Sequence, residues 1–176
     1  MKLIGTLTVL SLILNSSIIF DFNSKSNLKN WKIVDDVVMG GRSSGNFKLD
    51  SNHNGVFYGT VSTKNHGGFS SVRYNFNTVS FKNKTKVSIR LKGDSKKYQF
   101  RIKNNKNLRY SYIQEFKTNG KWQTITLKLS DFYPSFRGRK LDKPNFSDKQ
   151  LEEIAILIGN KKNESFKLVI DSIKLE

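Results

Sequence analysis

An antiparallel all-β sandwich of about eight to ten strands is the fold this sequence predicts. Three observations carry that prediction. Apolar residues recur with period two from Ile18 onward, turn-forming clusters interrupt them at intervals of roughly ten residues, and no segment sustains a helical period. Alternation over short runs is the pattern of strands with one face buried and one face wet. A parallel α/β fold is excluded, because its strands need crossover helices and none is indicated.

The first residues stand apart. Lys2 precedes Leu3–Leu14, an apolar run of 12 residues without a charge. That length suits a secretory h-region and falls short of the ~20 residues of a comfortable membrane span. Asn15-Ser16-Ser17 supplies a small-residue zone for cleavage. Residues 1–17 are therefore read as an export segment and 18–176 as one β-sandwich domain. The expected location is exported, periplasmic or membrane-associated, with a cytoplasmic protein as the alternative.

The strand candidates follow in order. Val87, Ile89 and Leu91 alternate with Ser88 and Arg90, and Tyr98, Phe100 and Ile102 alternate with Gln99, Arg101 and Lys103. Ile125, Leu127 and Leu129 repeat the pattern, Ile154, Ile156 and Ile158 share one face, and Phe166, Leu168 and Ile170 lead to Ile173 and Leu175. Turns are expected at residues 51–55, 92–95, 104–107, 118–120 and 159–163, all rich in Asn, Gly, Asp and Ser. Ser130–Ser147 carries both prolines and reads as a long irregular loop, of the kind that carries function or covers an edge. A single short helical turn is allowed near Ser147–Leu151, where Ser147-Asp148 offers a cap.

Composition narrows the function. A chain of 176 residues fits one domain. With no cysteine, disulfides and thiolate metal sites are ruled out. The formal net charge of +17 invites a nucleic-acid reading, yet the lysines are spread along the chain rather than gathered in one tract. A solvated basic surface accounts for them, so no nucleic-acid partner is expected. His53 and His66, the two histidines, sit in Asn/Gly-rich loops without HExxH spacing. Neither a catalytic triad, a metal site nor a cofactor site is expected.

Four segments could carry binding. Asp35-Asp36-Val37-Val38-Met39-Gly40-Gly41-Arg42-Ser43-Ser44-Gly45 crowds two carboxylates, three glycines and an arginine just after Trp31. Asp35 and Asp36 read either as ligand-facing acids or as turn caps, and Gly40 and Gly41 either admit a ligand to the backbone or supply positive φ. Gly67-Gly68-Phe69-Ser70-Ser71-Val72-Arg73 runs into a strand without nucleotide-loop spacing. Its Arg73 offers a rigid fork to a carboxylate ligand, or pairs with Asp35 or Asp36. Strands holding Lys97–Arg101 and Arg109–Tyr112 would bring Gln99, Arg101, Ser111, Tyr112 and Gln114 onto a polar-aromatic face for a sugar, a peptide or a protein. Tyr133-Pro134-Ser135-Phe136-Arg137-Gly138-Arg139 sets aromatics beside arginine, as interface hot spots do, or else plugs the sandwich end.

Taken in order, these segments together with Leu91–Asp94 and Ile158-Gly159 resemble the complex I intermediate-associated protein 30 family, from Phe20 to Glu176. The export-like N terminus is bacterial in character and differs from the Arg/Ser-rich transit peptide of mitochondrial members. The resemblance implies a galactose-binding-domain-like jelly-roll β-sandwich and a non-enzymatic, chaperone-like assembly role. Its expected partners are proteins, among them membrane-complex subunits, engaged by a monomer. A carbohydrate- or small-ligand-binding module of the same fold is the alternative.

Overall fold

The computed structural model describes residues 17–176, so the apolar run and nearly all of the expected export segment lie outside the described residues. The chain forms two antiparallel sheets. Strands β1 (Ser17–Asp21), β3 (Ser44–Leu49), β4 (Gly55–Val61), β6 (Lys86–Lys92), β9 (Trp122–Lys128) and β13 (Glu164–Leu175) make the smaller sheet. Its order is β3-β4-β13-β6-β9, with β1 continuing along β13 beyond the end of β4. Strands β2 (Trp31–Asp35), β5 (Ser70–Ser80), β7 (Lys97–Lys103), β8 (Ser111–Lys117), β10 (Tyr133–Phe136), β11 (Arg139–Lys140) and β12 (Gln150–Ile158) make the larger sheet, ordered β11-β10-β8-β7-β12-β5-β2.

The inner faces meet in one apolar core in which Phe57, Ile89, Leu91, Phe100, Ile102, Leu168 and Ile170 are fully enclosed. All of these but Phe57 are residues the alternation assigned inward. Each of the five expected turns joins two strands. In β13 the inward positions are even-numbered through Ile170 and odd-numbered from Ile173, because a bulge at Asp171 shifts the register against β6. A bulge inserts one residue and so exchanges the faces of everything after it. At one end Phe20, Phe22, Trp31, Phe47 and Tyr74 gather with ring centroids between 4.5 and 5.9 Å apart.

Two local expectations need correction. Ser147–Leu151 forms no helical turn. The Phe81 amide donates to Lys149 O, and Gln150 opens β12 by pairing with Ser80. Ser130–Ser147 is not irregular throughout either, since it contains β10 and β11. Their hairpin turns on Arg137 (φ 49°) and Gly138 (φ 78°). Two consecutive positive φ values define the tight turn whose twist matches a β-hairpin. Strand β11 forms the sheet edge and pairs only with Ser135 and Phe136 of β10, so Pro134 lies outside that short ladder, where a missing amide donor costs least.

Candidate functional site

Asp36 is the hub of a buried network. Its carboxylate accepts from the Ser43 amide (2.9 Å), the Ser43 hydroxyl (2.5 Å), the Gly68 amide (2.5 Å) and the Phe69 amide (3.1 Å). Ser43 Oγ in turn accepts from the Ser62 amide at 3.0 Å. The side chain is wholly excluded from solvent. Burial pushes its pKa up, but the Ser43 hydroxyl and the Gly68, Ser43 and Phe69 amides outweigh burial and hold it below the usual carboxylate value.

The neighbouring glycines have a steric cause. A Cβ at Gly41 would collide with the Asp36 carboxyl, and one at Gly67 would lie 2.6 Å from Asp36 Oδ2. Gly40, at φ 87°, closes the short 3-10 turn Asp36–Met39. Asp35 performs a smaller version of the same task, accepting from the Gly45 amide (2.8 Å) and the Ser70 hydroxyl (2.5 Å). The two acids therefore tie the loop after β2 to the loop before β5.

Of the two readings of Arg73, the pairing with Asp35 or Asp36 is absent, since both carboxylates are engaged by the donors just named. Arg73 instead faces outward from the larger sheet. It pairs across Ala155 of β12, and Ala155 pairs on its other side with Arg101 of β7. Alternation sends Val72, Ile154, Ile156, Phe100 and Ile102 into the core, so both arginines stand on the outer face. The small Ala155 leaves room for two guanidinium groups side by side. Arg101 donates twice to Gln99 Oε1 (2.7 and 3.2 Å), and Gln99 Nε2 reaches Glu115 Oε1 at 3.4 Å. Burial first, and the Arg73 charge second, lower the pKa of Arg101 to about 10.

Above this row lies a cavity of about 540 Å³. Its floor is the outer face of β2, β5, β12, β7 and β8, with Val34, Arg73, Leu157, Gln99, Arg101, Lys103 and Ser111. Its walls are Met39 of the 3-10 turn, the Gly67-Gly68-Phe69 loop, Ser135 and the Phe136-Arg137-Gly138 hairpin. The Asp36 network thus fixes two of the walls. Arg109 and Arg137 lie over the Phe136 ring, 5.7 and 5.4 Å from its centroid. Lys103 forms a buried pair with Glu153 at 3.4 Å. Among the described residues, Arg73, Arg101, Arg109, Arg137 and Lys161 have no carboxylate within 4.0 Å, and no Asp or Glu lines the cavity.

Of the sequence candidates, Gly67, Gly68, Arg73, Gln99, Arg101, Phe136 and Arg137 come together at the cavity. Asp35, Asp36, Gly40 and Gly41 support its walls. Arg42 is exposed and lies away from it. Tyr133 is half-buried beside Ile113, under Lys140 at 5.5 Å, and does not line it. Tyr112 and Gln114 do not join the outer face. Tyr112 pairs with Ile102 and meets the Phe146 ring edge-on at 5.2 Å, while Gln114 pairs with Phe100, so both point to the core side. Lys103, Arg109, Lys161, His66 and Met39 line the cavity without having been chosen from the sequence. The run Gln99, Arg101, Lys103 has period two, so Lys103 was within reach. Loop residues such as Lys161 carried no such signal. No cluster of three or more His, Asp or Glu suited to a metal occurs among the described residues, and no helix there is long and apolar enough to cross a membrane.

The fold is that of a jelly-roll β-sandwich. A family 11 carbohydrate-binding module from Clostridium thermocellum, solved with a β-1,3-1,4-mixed-linked tetrasaccharide, superposes with a TM-score of 0.68. The match spans 91% of this chain and 94% of the module at 20% identity, a likeness of fold. The chain belongs to the complex I intermediate-associated protein 30 family, whose sequence profile matches residues 20–170. The mitochondrial complex I intermediate-associated protein 30 of Mus musculus is 25% identical over 180 residues, 89% of this chain. That alignment takes in 55% of the mouse protein, so this chain spans about half the length of that relative. An uncharacterized protein of Schizosaccharomyces pombe is 28% identical over 169 residues, covering 83% of this chain and 77% of its own.

Proposed function

We propose that this protein is a non-enzymatic assembly factor that holds a partner protein on the outer face of its larger sheet. Family membership supports an assembly-related role. The observation that carries the partner-binding reading is the walled cavity, whose rim presents apolar side chains to solvent. Val37 is 59% exposed and Met39 52% exposed on the 3-10 turn at its mouth. Exposed apolar residues beside a shaped, polar recess are what a partner site presents. Membrane-complex subunits are the proposed partners, met by an exported or membrane-associated monomer.

The test is photo-crosslinking from position 39, with benzoylphenylalanine in place of Met39 and membranes as the source of partner. A crosslink to a subunit of a respiratory or other membrane complex is expected. A folded, crosslinker-bearing chain that captures no such subunit would overturn the reading.

A second reading is saccharide binding on the same face. It is favoured by the sandwich shape shared with the tetrasaccharide-bound module and by Gln99, Ser111 and Ser135 in the cavity. A glycan array without a binder would remove it.

A further inference from the structure

The cavity lining is one-sided in its chemistry. Arg73, Arg101, Arg109, Arg137 and Lys161 bring positive charge and hydrogen-bond donors, and no carboxylate lines the space to oppose them. Lys103, at the floor, has its charge answered by Glu153. Arg101 is held by Gln99 alone, and Arg73 stands across Ala155 from it with no side-chain acceptor among the described residues. Two like charges placed side by side and half-buried repel in the empty protein, and an anion between them relieves that repulsion.

The same asymmetry sorts the ligand classes. A neutral sugar offers about as many hydroxyl donors as acceptors, and this lining provides no anionic acceptor for the donors. Sugar rings also stack on bare aromatic faces, whereas of the two phenylalanines in the lining Phe136 already carries Arg109 and Arg137, which leaves Phe69 alone for stacking. A carboxylate offers acceptors only, and the planar arginine fork matches it with two parallel hydrogen bonds. Val34, Leu157, Phe69 and Met39 add apolar surface to the same space, room for an aliphatic side chain next to the acids.

We infer that the cavity binds an acidic peptide segment, with carboxylates between Arg73 and Arg101 and an apolar side chain beside them. This rests on the partner-protein reading above and specifies which part of the partner enters the cavity.

The experiment uses the full chain and a fluorescein-labelled Gly-Asp-Leu-Glu-Gly peptide, with Gly-Asn-Leu-Gln-Gly as its uncharged counterpart, read by anisotropy at fixed ionic strength. The acidic peptide should bind at least about tenfold more tightly, the effect of losing one charge-assisted pair. Arg73→Gln and Arg101→Gln should each weaken it by about tenfold, with melting curves showing that Arg73→Gln is folded. Lys121→Gln removes the same charge from an exposed turn and should change binding less than about twofold, because exposed charges are screened. Equal losses in Arg73→Gln and Lys121→Gln would reduce the effect to net charge and overturn the inference. Absence of peptide binding would overturn it too, as would preference for a glucuronate-bearing tetrasaccharide or inorganic phosphate over the peptide. If the position-39 crosslink survives while the peptide fails, only the cavity assignment falls. If the peptide binds while the crosslink is absent, the membrane-complex reading falls and the cavity assignment stands.

Discussion

Two charged clusters lie at the same end of this sandwich and differ in one respect. Around Asp36, four donors meet one buried carboxylate and nothing is left over. Around Arg73 and Arg101, one guanidinium is held by a glutamine oxygen, the other has no side-chain acceptor among the described residues, and neither has a carboxylate within 4.0 Å. A satisfied buried charge stiffens the chain that surrounds it, while unmatched charges facing a cavity hold interaction capacity in reserve for something else. Folding uses the first cluster. The second is the one proposed to bind.

That contrast can be broken most easily at Asp36. Asp36→Ala leaves the buried Ser43 amide and the part-buried Gly68 and Phe69 amides without an acceptor and should cost about 3 kcal/mol or more in urea unfolding. A loss under about 1 kcal/mol would mean that the network is ornamental. Acid titration probes the same group. Its folded pKa is depressed, so its stabilisation is complete above the unfolded value of about 4 and is lost as pH falls through the folded one. Wild type and Asp36→Ala should therefore differ fully at pH 7 and converge in acid. Gly41→Ala comes next, because its Cβ meets the Asp36 carboxyl; overpacking of this kind should cost about 2 kcal/mol in the same assay. Arg73→Gln should change stability least, by about 0.5 kcal/mol or less, since no partner in the protein is orphaned. Differential scanning calorimetry on that variant would expose a hidden structural role.

Much of the fold was legible because the sheets alternate cleanly. Phe100, Ile102, Leu168 and Ile170 announce their faces by spacing alone. The β10–β11 hairpin was not legible, since Arg137 adopts positive φ where Gly or Asn would have signalled it. Arg101 and Gln99 were readable as a polar face, but Arg73 reaches them only through strand order, across Ala155 of a strand that comes later in the chain. The same distance in sequence concealed Lys161, while Arg109 was named only as the start of the segment that pairs with Lys97–Arg101. Tyr112 and Gln114 were misplaced because the register of β8 against β7 decides their face, and a one-residue offset reverses it. The Asp36 network was half visible: paired acids beside double glycine implied a shaped turn, while its partners Gly68 and Phe69 lie some thirty residues away.

The central claim, that the arginine row binds while the Asp36 network folds, meets its most direct test in one thermal-unfolding experiment on wild type and Arg73→Gln, with and without the acidic peptide. A ligand that binds only the folded state raises Tm. The two proteins should melt together when free, and only the wild type should rise when peptide is added. A free Arg73→Gln protein that melts well below wild type, or one that gains as much from the peptide, would contradict the account.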